Sequence, residues 1–192
     1  FLYFKIDRKK KILASTLLLA LGFTKQEIAD EFYQSENYNF DNNTGKWKTK
    51  FNPDNYKTKN FSEEVVDAKT GKIAINSGDK INFLTAKKLA NDGLKDILVL
   101  KESLFGKYLH ADIKVNDEED GIFKIGTELN DTIIQKILEA KINTIKVSTT
   151  NSINKGPYLL NTILNDKNNS KDEAITEIYK MLRPGEPPTI EI

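Results

Sequence analysis

The chain has 192 residues, enough for one large domain or two small ones with buried cores. Its 29 basic and 28 acidic residues nearly cancel, so no global field singles out nucleic acid and any such case rests on local clusters. With no Cys and one His, His110, the chain excludes disulfides, thiolate or multi-His zinc sites and a Cys nucleophile.

In chain order, the stretch from Phe1 to Ile6 is β-rich, and DRKKK (Asp7 to Lys11) breaks it. Within the first 11 residues stand five cations and one anion. That run reads either as a phosphate-holding strand–helix junction or as a solvated turn. Asp7 is the isolated carboxylate in it, able to accept from a guanine edge that the cations bring near. Ile12, Leu13, Thr16, Leu17, Ala20 and Leu21 share a helical face, and Gly22 stands where a C-terminal glycine belongs. The run from Ile12 to Leu21 is about half of a bilayer span. It passes into another helix without a small-residue cleavage site, so neither a membrane segment nor a leader is expected. Thr24 with Glu27 forms a capping box for that next helix.

From Gln34 to Phe61 the composition shifts to Asn, Lys, Asp and aromatics. Tyr38 and Phe40 alternate, DNNTG supplies a turn, and Trp47, Thr49 and Phe51 alternate with Lys46, Lys48 and Lys50. This is a hairpin with an apolar and a lysine face. Lysines mixed with aromatics also occur in single-strand binders, although a half-buried hairpin gives the same pattern.

The middle contains a repeat at an offset of about 48 residues. Gly78 aligns with Gly126, Ile81 with Leu129, Asn82 with Asn130, Leu89 with Ile137, Ile97 with Ile145 and Val99 with Val147. Each copy reads as strand, Gly turn, strand, short helix, strand. Thr85 is the expected cap of the first helix and Gly93 its end, with Asn130 or Asp131 capping the second. Lys141 takes the place of Gly93, where a left-handed residue costs roughly 1 kcal/mol. His110 reads as a core or surface histidine without a second ligand, and DEED (Asp117 to Asp120) as a charged turn.

Beyond Ser148, Gly156-Pro157 opens a helix through Leu164, and Ser170 with Glu173 forms a further capping box. The last helix bears Ile175, Ile178, Tyr179 and Leu182 on one face and ends about Arg183, before Pro184. The chain begins without Met and closes on the stiff RPGEPPT, so it reads as a piece of a longer protein. No phosphate loop, nucleophile elbow or zinc signature appears.

Three stretches carry a resemblance. KIDRKKKILASTLLLALGFTKQEI at the start, NKGPYLLNTILND (Asn154 to Asp166) and EAITEIYKMLRPGEPPT (Glu173 to Thr189) resemble, in order, the β subunit of bacterial DNA-directed RNA polymerase. The resemblance is strong over about the first 33 and last 45 residues and weaker across the middle. It implies an α+β fold: a discontinuous lobe domain of residues 1–33 and 148–192, interrupted by a lineage-specific insertion at 34–147. Within the insertion fall the hairpin at 34–61 and repeat modules at about 62–100 and 108–147. It implies a lobe lining the downstream DNA channel, with Asp7 on the family's aspartate that helps hold a non-template guanine. Arg8, Lys9, Lys10 and Arg183 would touch the non-template strand or downstream duplex. The family usually has arginines and a proline where this chain has Lys9, Lys10 and Ile12-Leu13-Ala14, and lysine lacks the bidentate fork.

The same resemblance implies a cytoplasmic nucleotidyltransferase, its partners being DNA, the other polymerase subunits and, through the insertion, a σ factor or regulators. No catalytic residue or cofactor would lie in this chain, because the magnesium-holding aspartates belong to the other large subunit. Two other readings are open: a free-standing single-strand nucleic-acid-binding module, and a purely structural interaction domain.

Overall fold

The computed structural model describes residues 1–58, 61–150 and 156–185. The chain opens with β1 (Tyr3–Lys5) and β2 (Lys11–Leu13), which pair antiparallel with Tyr3 opposite Leu13. Next come α1 (Ala14–Ala20) and α2 (Lys25–Phe32). The first helix is shorter than its apolar run suggests. Ile12 and Leu13 have joined the β ladder, where pairing satisfies their backbone, and Ala14 still donates to the Leu2 carbonyl at 2.9 Å. The buried face of α1 is therefore Ala14, Ser15, Thr16 and Leu19, while Leu21 is 67% exposed. Thr24 and Glu27 make the expected reciprocal capping box on α2, and Gly22 takes φ +103° between the helices.

Residues β3 (Ser35–Asp41) and β4 (Lys46–Lys50) form the hairpin, with Trp47, Thr49 and Phe51 turned inward. The first repeat contributes β5 (Val65–Asp67), β6 (Ile73–Ile75), α3 (Phe83–Asn91) and β7 (Asp96–Val99). The second contributes β8 (Tyr108–Leu109), β9 (Ile113–Lys114), β10 (Ile122–Phe123), α4 (Asp131–Glu139) and β11 (Thr144–Ser148). Seven strands form one antiparallel sheet in the order β6-β5-β7-β4-β3-β11-β8, so the hairpin lies at its middle, with the two repeats on either flank. The flanks differ. On one side β5 and β6 both join the sheet; on the other only β8 does, and β9 pairs with β10 alone.

Matching positions do matching work in the two repeats. Asn82 and Asn130 are the helix N-caps, accepting from Thr85 N and Ile133 N, each at 2.9 Å. Thr85 is thus inside α3 rather than its cap, because the Asn carboxamide three residues earlier reaches its N–H. Gly93 takes φ +109° after α3 and Lys141 φ +60° after α4; Lys141 is the non-glycine residue with positive φ among the described residues. Left-handed backbone costs Lys141 about 1 kcal/mol relative to glycine, held in place by its N–H on the Leu138 carbonyl.

Finally α5 (Tyr158–Asn165) and α6 (Lys171–Leu182) return to the N-terminal helices. Ser170 caps α6, but the Glu173 carboxylate takes Asn169 N at 2.8 Å instead of closing the box. On α6 only Ala174 is fully buried and Leu182 is half exposed, so the inward stripe is narrower than the apolar spacing suggests. The result is α+β, with six α-helices among the described residues and two cores. One lies against the sheet and includes Trp47, Val99, Leu104, Ile137 and Ile145. The other gathers Leu19, Ile28 and Ala29 from the start with Leu160, Ile163 and Ala174 from the end, so both chain ends pack together.

The cores meet where Tyr108 and Ile125 of the second repeat pack on the helical one. Gly126, at φ +90°, sits so close to α5 that a Cβ would fall 2.5 Å from the Leu160 carbonyl oxygen.

Candidate nucleic-acid interface

The β1–β2 turn carries the basic run. Ile6 N donates to the Lys10 carbonyl at 2.9 Å, closing the turn, and Asp7 Oδ1 accepts from Lys9 N at 2.8 Å and Lys10 N at 2.9 Å. Asp7 therefore shapes its own loop, as Asp does in an Asx turn. Its second oxygen accepts no hydrogen bond among the described residues, and the residue is exposed. The hairpin is anchored by Leu2 N donating to Thr162 Oγ1 of α5 at 2.7 Å. Lys11 Nζ stands 4.3 Å over the Tyr3 ring, a cation–π contact that turns one of the five cations back onto the strand. Asp7, Arg8 and Lys9 are exposed and Lys10 half-buried, and none is in an ion pair within the described residues.

Arg183 stands on a separate element, as the residue after α6, with its N–H on the Tyr179 carbonyl at 2.9 Å. The structure thus brings Asp7, Arg8, Lys9 and Lys10 into one turn and sets Arg183 at a helix end. The strap from Glu186 to Thr189 and the start of the second motif, Asn154 and Lys155, lie outside the described residues.

The lysine hairpin behaves differently. Trp47 is fully buried, with the Phe40 ring centroid 5.2 Å away, so its ring lies in the core and is not open for a base to stack on. Among the described residues no group of three or more His, Cys, Asp or Glu side chains is placed to hold a metal ion. No helix of the described residues is long and apolar enough to cross a membrane.

Two polar nodes escaped the sequence reading. His110 is 1% exposed; its Nε2 is 2.7 Å from Asp30 Oδ1 on α2 and its Nδ1 2.7 Å from Ser148 Oγ on β11. Gln26 Nε2 closes the group on the His110 carbonyl at 3.0 Å and Asp30 Oδ1 at 3.1 Å. Hydrogen bonding from His110, then from Gln26, holds the Asp30 carboxyl below its ordinary value. A serine, a histidine and a carboxylate stand in line here, but the ring nitrogens are reversed relative to a hydrolase triad and Ser148 is buried in a paired strand. The hydroxyl can donate or accept, so the node is satisfied with the ring neutral or charged. It works as a pin between helical core and sheet.

The second node is Asp166, which follows α5 and is 4% exposed. Its carboxylate accepts from Ser15 Oγ at 2.5 Å, Thr16 Oγ1 at 2.8 Å, and Asn168 N and Nδ2 at 3.0 Å. Lys25 Nζ reaches its carbonyl at 2.8 Å. Burial pushes the carboxyl up, but the bonds from Ser15, Asn168 and Thr16 outweigh it, and the net displacement is downward. The only sequence signals were two small hydroxyl residues on a buried face and an Asp after a helix, which no spacing rule connects across 150 residues.

No protein-family model matches the chain. Curated relatives do. Over 190 residues the chain is 38% identical to the DNA-directed RNA polymerase subunit beta of Rickettsia felis. It is 39% identical to that of Rickettsia rickettsii strain Sheila Smith and 37% to that of Rickettsia canadensis. Each match takes in 99% of this chain and 14% of the relative's length. The similarity crosses the middle region as well as the two ends.

Proposed function

We infer that this chain, a segment of the DNA-directed RNA polymerase β-subunit family, is the subunit's lobe, lining the downstream DNA channel. On this reading residues 1–33 and 148–192 are the lobe and 34–147 an insertion in it. The observation that carries it is the pairing of chain ends in one helical core that presents an exposed, unpaired basic turn. Arg8, Lys9 and Lys10 supply charge to phosphates, and the Asp7 oxygen not engaged by its own loop is an acceptor for a guanine edge. Arg183 extends the contact from α6. The lobe is part of a cytoplasmic nucleotidyltransferase whose catalytic magnesium is held by another subunit, and its own share of the work is mechanical and electrostatic.

The test is a polymerase assembled with Arg8→Ala in the β subunit. Loss of one phosphate contact makes the logarithmic salt dependence of promoter binding shallower by about 0.9. An unchanged slope would remove Arg8 from the DNA surface.

A second role belongs to the insertion: a docking surface for a σ factor or regulators. Its second half meets the helical core through Tyr108, His110, Ile125 and Gly126, whereas Ile73 and Leu84 in its first half are exposed. Deleting 34–147 should abolish binding of such partners to the polymerase; retained binding would sink this role.

A further inference from the structure

The hairpin that carries the basic turn is fastened to the helical core on both of its strands. On β2, Ile12 is buried and the chain runs straight on into α1. On β1 all three side chains are exposed, so the hold passes through the backbone of the residue before it. Leu2 N donates to Thr162 Oγ1 at 2.7 Å, and the Leu2 carbonyl accepts from Ala14 N at 2.9 Å.

The chemistry of Thr162 suits this bond. It lies on α5 and is 0% exposed. A hydroxyl has one proton and two lone pairs. Here the proton goes to the Tyr158 carbonyl one turn back, at 2.7 Å, which leaves a lone pair for Leu2 N. Thr162 thus donates into its own helix and accepts from the strand. Valine has the same shape and fills neither role, whereas serine keeps both.

Two fastenings set the direction in which the turn points. With β2 alone, the hairpin is free to swing about that strand. The five extended residues from Leu2 to Asp7 span about 17 Å, so a swing of about 10° at the base carries the turn about 3 Å. That shift is as long as a charge-assisted hydrogen bond to a phosphate, and the contact would not survive it.

We propose that Thr162 is a positioning residue for the DNA-facing turn: without touching DNA, it holds Arg8, Lys9 and Lys10 within reach of the phosphates. This role rests on the reading of the turn as a DNA surface.

The experiment uses polymerase assembled with Thr162→Val, Thr162→Ser or Leu2→Pro in the β subunit. Leu2→Pro removes the donor at an exposed position and leaves α5 untouched, so it covers the case in which valine disturbs the helical core. Promoter binding is measured across a salt series, with hydrogen exchange of residues 1–11 read by mass spectrometry. Thr162→Val and Leu2→Pro should each weaken promoter binding about three- to tenfold, with a shallower salt slope and faster exchange. Thr162→Ser should restore all three. In an Arg8→Ala/Lys9→Ala/Lys10→Ala background, Thr162→Val should weaken binding no further, because the contact it serves is already gone. An equal further loss there, or unchanged exchange, would overturn the positioning role. Unchanged binding by the triple alanine polymerase would sink the DNA reading and this role with it. A weakened triple variant beside silent Thr162→Val and Leu2→Pro would sink the role of Thr162 alone.

Discussion

Trp47→Ala is expected to destabilise the sheet core by about 3–5 kcal/mol, the cost of removing a large aromatic side chain from a site that cannot collapse. Trp47 is fully buried on a central strand, opposite Phe40 of β3 on one side and Val99 of β7 on the other. Both flanks of the sheet thus depend on what fills this position. Urea unfolding followed by far-UV circular dichroism measures the change, and Trp47→Phe should recover much of it. A loss below about 1 kcal/mol would mean that the sheet does not close over Trp47 as described.

Asp166→Ala should cost the helical core a similar amount, about 3–5 kcal/mol, because the hydroxyls of Ser15 and Thr16 stay buried without their acceptor. The single tryptophan lies in the other core, so its fluorescence separates the two. In Asp166→Ala the helical signal should melt at lower urea while Trp47 emission holds to a higher midpoint. Coincident transitions displaced together would show that the His110 pin and the Gly126 contact make one cooperative unit. The acid response follows from the downward displacement of the carboxyl. Its contribution is fully present above the unfolded value of about 3.9 and is lost as pH falls through the lower folded value. Stability of the helical core should therefore drop below about pH 4, and Asp166→Asn should remove that drop.

Local rules served well where the competing interactions are local. Thr24 with Glu27, the Asn130 cap, Gly22 and Gly93 after helices, and the alternation around Trp47 are decided within a few residues, and all stand in the structure. Lys141 is the sharpest case: alignment with Gly93 marks the position as one where a left-handed residue carries a cost, and Lys141 takes φ +60° there. The start of α1 departs from the apolar spacing because Ile12 and Leu13 suit a helix or a strand, and only the partner strand β1 decides between them. Thr85 lost the cap to Asn82 because two good capping residues stood within one turn.

Of the candidate interface, composition alone marked the turn from Asp7 to Lys10 as basic, and the sequence similarity ties the chain to a part of DNA-directed RNA polymerase subunit beta proteins. That Asp7 spends one oxygen on its own loop depended on the closed hairpin. The remaining features are long-range. One hairpin seated between two repeats, a histidine shared by Asp30 and Ser148, and Asp166 reaching back to Ser15 and Thr16 each join residues far apart in the chain. Periodicity, caps and charge runs are set by neighbours a few residues away, so the amino-acid order determines them by itself. Which buried polar groups find one another is settled only when the cores close, because an unpaired one costs about 1–3 kcal/mol and the fold is the arrangement that pairs them.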